Sequence, residues 1–210
     1  MGFSTLAIAM AAPQARVVAI DTGLDAQSRE GLALTRKIAA AEALDVVALQ
    51  GASPEDVAST AQEGAQGHPI GCVFIDGYHS NEQVVKDFEA AKAIAASDAV
   101  FVFHDVRDGG LRPGLAEIRA RHPSFEHHLL EATSSGIAVG TFGAPAAPVA
   151  AVLAAFTVPA VARPVLDDAV SLWRRRRSAT LHRSLVKRFN ALRKLAGLKG
   201  LPLPPKLLEG

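Results

Sequence analysis

The stretch "VFIDGYHSNEQVVKDFE" (residues 73–89), followed shortly by "VFVFHDV" (100–106), decides the fold. Each piece opens on an unbroken apolar run, and each run closes on an acid: Asp76 in the first, Asp105 next to His104 in the second. Runs that are apolar at every position belong to strands covered on both faces, as in a parallel sheet clad by helices. The pattern predicts strands at 70–77 and 99–106, with a helix over 81–96 between them.

The same alternation extends to both sides. Upstream, helices are expected at 3–12, 25–44 and 53–64, and buried strands at 16–21 and 45–51. The helix at 53–64 reads with Ser53 as N-cap and Pro54 at its first position. Downstream, a helix is expected at 112–122, then strands at 125–132 and 136–143 close enough in sequence to form an antiparallel pair. The first four strands end in Asp21, Gln50, Asp76 and the His104–Asp105 pair. Ligands of open α/β sheets bind outside the carboxyl ends of the strands, so the polar groups stand where a site belongs. The expected fold is α/β, a Rossmann-like, mostly parallel sheet with helices on both faces, over residues 1–143.

After Gly143 the character changes. Residues 144–164 are Ala/Pro-rich and read as a linker with a short apolar helix. Over 165–196, Leu166, Val170, Trp173, Leu181, Leu185, Phe189, Leu192 and Leu195 make one apolar stripe, opposed by arginines and lysines. From Arg174 onward there are eleven Lys/Arg against one acid, so a net charge of +1 hides a body of about −9 and a tail of about +10. A basic amphipathic helix packs on its own domain or a partner, lies on an anionic membrane surface, or contacts nucleic acid. Nucleic acid is the least favoured of these partners, because the body is acidic and carries no such motif.

Composition agrees with one sizeable core plus an appendage: 210 residues, 49% hydrophobic, 20% charged. With aromatics at 5%, the core is expected to be aliphatic. The one cysteine, Cys72, sits in an apolar run and is expected to be a small buried hydrophobe. A chain with one cysteine forms no internal disulfide, which fits a reducing cytoplasm. The opening "MGFSTLAIAMAA" has the length of a signal-peptide core, but no Lys or Arg precedes it, and it reads instead as helix. No apolar run approaches the roughly 18 residues that cross a bilayer. Cytoplasmic localisation is expected, with membrane attachment, if any, peripheral and through 165–196. A homo-oligomer is compatible with the sequence.

Two carboxylates and two imidazoles at neighbouring strand ends suit a divalent cation held by Asp76 and Asp105. They equally suit a general base near neutral pH, supplied by His79 or His104. From spacing alone, Asp76 and Asp105 could as readily cap the loops that follow them. Asp21, at the end of its strand, suits hydrogen bonding to ribose hydroxyls.

Taken together, "GFSTLAIA", "RVVAIDTG", "ALQGASPEDV", "VFIDGYHSNEQVVKDFEAA" and "VFVFHDV" resemble the class I S-adenosylmethionine (SAM)-dependent methyltransferases. The match is to the small-molecule O-methyltransferase-like branch, with IDGxH and HD strand ends, over roughly 2–143. The resemblance implies that Gly2, Phe3, Ser4 and Thr5 end the cofactor loop and start its helix. It implies that Asp21 holds the ribose, that Ala52 and Ser53 lie near the adenine, and that Asp76 lies beside the methionine moiety, the metal or the acceptor. His79, His104 and Asp105 would line the side of a small-molecule or sugar acceptor, with Mg²⁺ or another divalent cation assisting.

The family pattern opens with a strand and a loop of the form V-x-E-x-G-x-x-x-G-F-S-T, of which only the last glycine onward occurs here. The sheet is therefore expected to lack its usual first strand, leaving backbone groups of two strands unpaired at about 1–3 kcal/mol each. Two functions follow: a methyltransferase, or a degenerate methyltransferase fold without SAM binding that serves as an interaction or membrane-docking module.

Overall fold

A computed structural model describes residues 2–130, 133 and 135–156. Helices and strands alternate as α1 (Phe3–Ala11), β1 (Val17–Asp21), α2 (Ala26–Ala41), β2 (Val46–Gln50), α3 (Val57–Ala65), β3 (Ile70–Ile75), α4 (Asn81–Lys92), β4 (Ala95–Phe103) and α5 (Arg112–Arg121). β5 (Phe125–Leu130), β6 (Ile137–Phe142) and α6 (Ala147–Phe156) follow. Two helix starts are capped by their own sequence: Asp25 Oδ1 accepts from the Ser28 N–H at 2.7 Å, and Ser80 Oγ from the Gln83 N–H at 3.1 Å. No helix among the described residues is long and apolar enough to cross a membrane.

The strands form two sheets. β1 pairs with β2 in parallel, and a four-stranded sheet runs in the order β3-β4-β6-β5. β3 and β4 are parallel, and β6 pairs antiparallel with both β4 and β5. α3 packs mainly on β1 and touches α4, which packs on β3 and β4. Among the described residues no strand pairs with the second edge of β1 or of β3.

The core is mostly aliphatic, as expected, but its largest buried side chains are four phenylalanines. Phe88, Phe101, Phe103 and Phe125 are fully buried between the four-stranded sheet and helices α4 and α5, joined by Leu115, Ile118 and Val106. The Phe88 and Phe125 rings lie 4.8 Å apart, and Phe88 and Phe101 5.0 Å apart. A low overall aromatic content conceals this because the rings are concentrated on one face, where each removes a large apolar area from water. Gly140 makes room for them: a Cβ there would overlap the Phe125 ring. On the opposite face Leu153 of α6 packs with Leu130 and Val139. The compact unit accordingly runs through Thr157 and includes α6. The basic stripe at 165–196 lies outside the described residues.

Three local expectations are corrected. α4 stops at Lys92 rather than 96, because Ala95 already pairs with Ile70; ladder pairing overrides the helix propensity of alanine. α3 starts at Val57, and Ser53 is not its N-cap; the Ser53 hydroxyl turns instead to Asp87. Cys72 is exposed rather than buried, since among the described residues no strand pairs with that edge of β3.

Candidate functional site

The carboxyl ends of the strands converge. Gln83 Nε2 donates to the Ser53 carbonyl at 2.9 Å and to Asp87 Oδ1 at 2.8 Å, while Ser53 Oγ donates to the same oxygen at 2.5 Å. This network fastens the loop after β2 to the helix after β3, so both strand ends face one side of the molecule. Asp87 is 5% exposed, and nothing in the sequence pattern marks it beyond its place on α4.

At that side Asp76, His79, His104 and Asp105 come together, each offering a ligand atom within 4.8 Å of the others. Strand alternation alone would send His104 and Asp105 to opposite faces, but β4 ends at Phe103 and Asp105 takes a left-handed conformation (φ 53°). Both side chains thus face Asp76. His104 Nδ1 lies 2.9 Å from Asp76 Oδ1 and 3.3 Å from Asp105 Oδ1. His79 Nε2 lies 3.3 Å from Asp76 Oδ1 and 3.7 Å from Asp105 Oδ2. An ionised carboxylate only accepts, so these ring nitrogens donate when no cation is bound. That tautomer leaves His104 Nε2 as an acceptor, and Ser135 Oγ stands 3.4 Å from it.

Sequence reasoning does not find Ser135, because it reaches the site from the β5–β6 connection. That connection is held by the amides of Arg107 and Asp108, which donate to the Ser135 carbonyl, and by Val106, which donates to Gly136. The four cluster residues are partly open, with side chains 25–37% exposed. They are accessible to a ligand rather than sealed into the core.

A second group surrounds Asp21. Asp21 Oδ1 accepts from the Gly23 N–H at 2.9 Å, a turn-capping bond that leaves the other carboxylate oxygen available. Gln50 Nε2 donates to the Thr22 carbonyl at 3.0 Å, binding the ends of β1 and β2 together. The Ala52 N–H donates to Asp56 Oδ2 at 2.8 Å, so Asp56 shapes the loop that carries Ala52 and Ser53. Gly2 caps α1 with φ 78°, and a Cβ there would overlap Thr35 Oγ1. The Leu6 N–H donates to the Gly2 carbonyl, so the amides of Phe3, Ser4 and Thr5 are first-turn donors of α1. The Phe3 side chain is 83% exposed.

Known proteins share this fold. A family profile described as "Methyltransferase domain" matches residues 1–106. No curated protein matches the chain. Among solved structures, a Staphylococcus aureus protein assigned as a caffeoyl-CoA O-methyltransferase aligns over 68% of this chain and 71% of its own. Its identity is 15% and the TM-score 0.51. TomG, an O-methyltransferase of Streptomyces achromogenes involved in tomaymycin synthesis and solved with SAM, aligns over 68% of this chain and 69% of its own. Its identity is 17% and the TM-score 0.50. A Bacillus cereus O-methyltransferase solved with SAH aligns over 60% of this chain at 18% identity and a TM-score of 0.46; this chain covers 62% of it. The profile spans half of the sequence, its strands are β1 through β4, and the two cluster acids fall inside it: the chain belongs to the methyltransferase-domain family.

Proposed function

We propose that this chain is a SAM-dependent methyltransferase that methylates a hydroxyl of a small molecule or sugar. The observation that carries the reading is the convergence of Asp76, His79, His104 and Asp105 at the carboxyl end of β3 and β4. The reaction class suits them. When bound, SAM supplies an already activated sulfonium methyl, so the protein's task is alignment and removal of the acceptor proton.

The chain's residues divide that task. The first-turn amides of α1 are donors for a carboxylate, and the unengaged oxygen of Asp21 is an acceptor for ribose hydroxyls. Asp76 holds His104 by Nδ1 and thereby fixes the tautomer in which Nε2 carries the lone pair. With acceptor and SAM bound, His104 Nε2 would take the hydroxyl proton and Asp76 would stabilise the resulting imidazolium. Ser135 Oγ stands 3.4 Å from that same Nε2, so its hydroxyl must turn aside when the acceptor takes its place.

The same four residues fit a divalent cation. Two imidazole nitrogens and two carboxylate oxygens within 4.8 Å of one another form a mixed donor set. It suits a borderline ion such as Zn²⁺ better than Mg²⁺, which prefers an all-oxygen shell. A cation here would act as a Lewis acid on the acceptor oxygen.

A second reading has one observation in its favour. Among the described residues the β1–β2 pair and the four-stranded sheet are not joined by a strand, which suits a degenerate methyltransferase fold acting as an interaction module. Calorimetry with SAM and with its demethylated product separates the two. Heat saturating with ligand supports the enzyme, and no heat at millimolar ligand supports the module.

A further inference from the structure

Two features of the chain take no part in the proposed reaction, and together they call for a surface that is both apolar and anionic. The first is α6. Residues 143–162 include no charged side chain, and every residue of α6 is apolar. Yet only Leu153 of that helix is buried, packed with Leu130 and Val139. Val152 and Phe156 are 46% and 42% exposed. A helix that is apolar all round is ordinarily covered. The second feature is the stretch at 165–196, whose sequence spacing sets an apolar stripe among basic residues. Over 169–208 eleven Lys/Arg occur and no acid.

We propose that α6 and the basic stripe at 165–196 bind the surface of an anionic lipid bilayer, α6 through its apolar area and the stripe through its charge. Charge selects this partner. The body, at about −9, is repelled by an anionic leaflet, so attraction falls to the cations beyond it. Each cation near such a surface strengthens binding about fivefold. A protein partner is matched by charges of both signs, which fix its register; a fluid bilayer asks for no register, and a forty-residue stretch without an acid suits it. Nucleic acid would neutralise the same cations but leave Val152, Phe156 and the apolar stripe uncovered. Trp173 directly precedes the four arginines at 174–177, and an indole favours the membrane–water interface while arginines reach back to the headgroups. The contact is with the surface rather than across it. Ten residues of helix reach about 15 Å, half of the roughly 30 Å hydrocarbon core. Pro159 and Pro164 interrupt the apolar run that follows.

The test uses the full 210-residue chain without cofactor, so it stands or falls apart from the proposed reaction. Co-sedimentation is measured with phosphatidylcholine vesicles and with vesicles in which about a third of the lipid is phosphatidylglycerol. Trp173 is the one tryptophan of the chain, so a blue shift of its emission reports on the stripe directly. Binding and a blue shift are expected with the anionic vesicles alone, both weakening as salt is raised. Changing the four arginines together (Arg174→Gln, Arg175→Gln, Arg176→Gln, Arg177→Gln) should weaken binding by about a hundredfold or more. Val152→Ser with Phe156→Ser should weaken it by about tenfold. The salt series on the unmodified chain carries the electrostatic claim independently of how either variant folds. Equal sedimentation with both vesicles, none with either, or an unmoved Trp173 emission overturns the proposal. So does anionic binding that persists undiminished in the arginine variant or in the α6 variant. A chain that binds duplex DNA or RNA but no vesicle also overturns it, because the cations would then serve nucleic acid.

Discussion

Replacing Asp87 with alanine should loosen the joint between the two sheets. The Asp87 carboxylate is 5% exposed and its Oδ1 accepts from Ser53 Oγ at 2.5 Å and Gln83 Nε2 at 2.8 Å. Each is a hydrogen bond to a charged acceptor, worth about 1.5–3 kcal/mol, and the alanine leaves two part-buried donors seeking water. The cost of burying the carboxylate is recovered on its removal, so the net loss is about 2–4 kcal/mol. Asp87→Asn keeps one acceptor oxygen and should lose only about 1 kcal/mol. For a unit of this size, a loss of about 2–4 kcal/mol lowers Tm by roughly 5–15 °C. Urea unfolding followed by circular dichroism measures both variants. Because Gln83 also donates to the Ser53 carbonyl, the loop carrying Ala52 and Ser53 should become exchange-labile in the alanine variant. An Asp87→Ala protein within about 0.5 kcal/mol of wild type would refute the claim that this network joins the halves.

Other expectations rest on single residues. His104→Gln should lower kcat by about 10²–10⁴-fold while leaving the affinity for SAM unchanged; an equal loss of SAM binding would place His104 in cofactor binding instead. Zn²⁺ titrated against wild type should bind, the ring hydrogens of His79 and His104 moving to their other nitrogens so that the nitrogens facing Asp76 and Asp105 can hold the cation. Asp105→Ala should weaken that binding by at least about tenfold, and unchanged affinity would rule the cation out of this site. His127 has a buried Nδ1 without a hydrogen-bond partner, and burial, with Arg119 and His128 nearby, lowers its pKa. The unfolded chain therefore binds a proton there more readily. Stability should be full above about pH 6.5 and decline as the pH falls below it. His127→Phe should flatten that decline in pH-dependent melts.

The order of elements and the acidic strand ends are legible in the sequence because an unbroken apolar run closing on Asp is the mark of a buried parallel strand. The convergence of Asp76, His79, His104 and Asp105 is half legible. The residue types and strand ends name them, but the turn that brings His104 and Asp105 to one side rests on the positive φ of Asp105. Ser135 and Asp87 are not legible, since each reaches its partner across more than thirty residues of chain through loop and helix packing. Ser53 misleads for the same reason: its sequence context is that of an N-cap, and a tertiary partner outcompetes the helix. The phenylalanine core is hidden by averaging, because composition counts rings without saying that they share a face.

Whether Asp21 and the α1 turn hold SAM beside the Asp76–His104 pair decides the proposed chemistry. Isothermal titration of SAM into wild type and Asp21→Ala answers this without a known acceptor. Saturable heat with one site per chain is expected from wild type, and its loss in Asp21→Ala. No heat from wild type at millimolar SAM, or identical binding by the two proteins, would contradict the assignment.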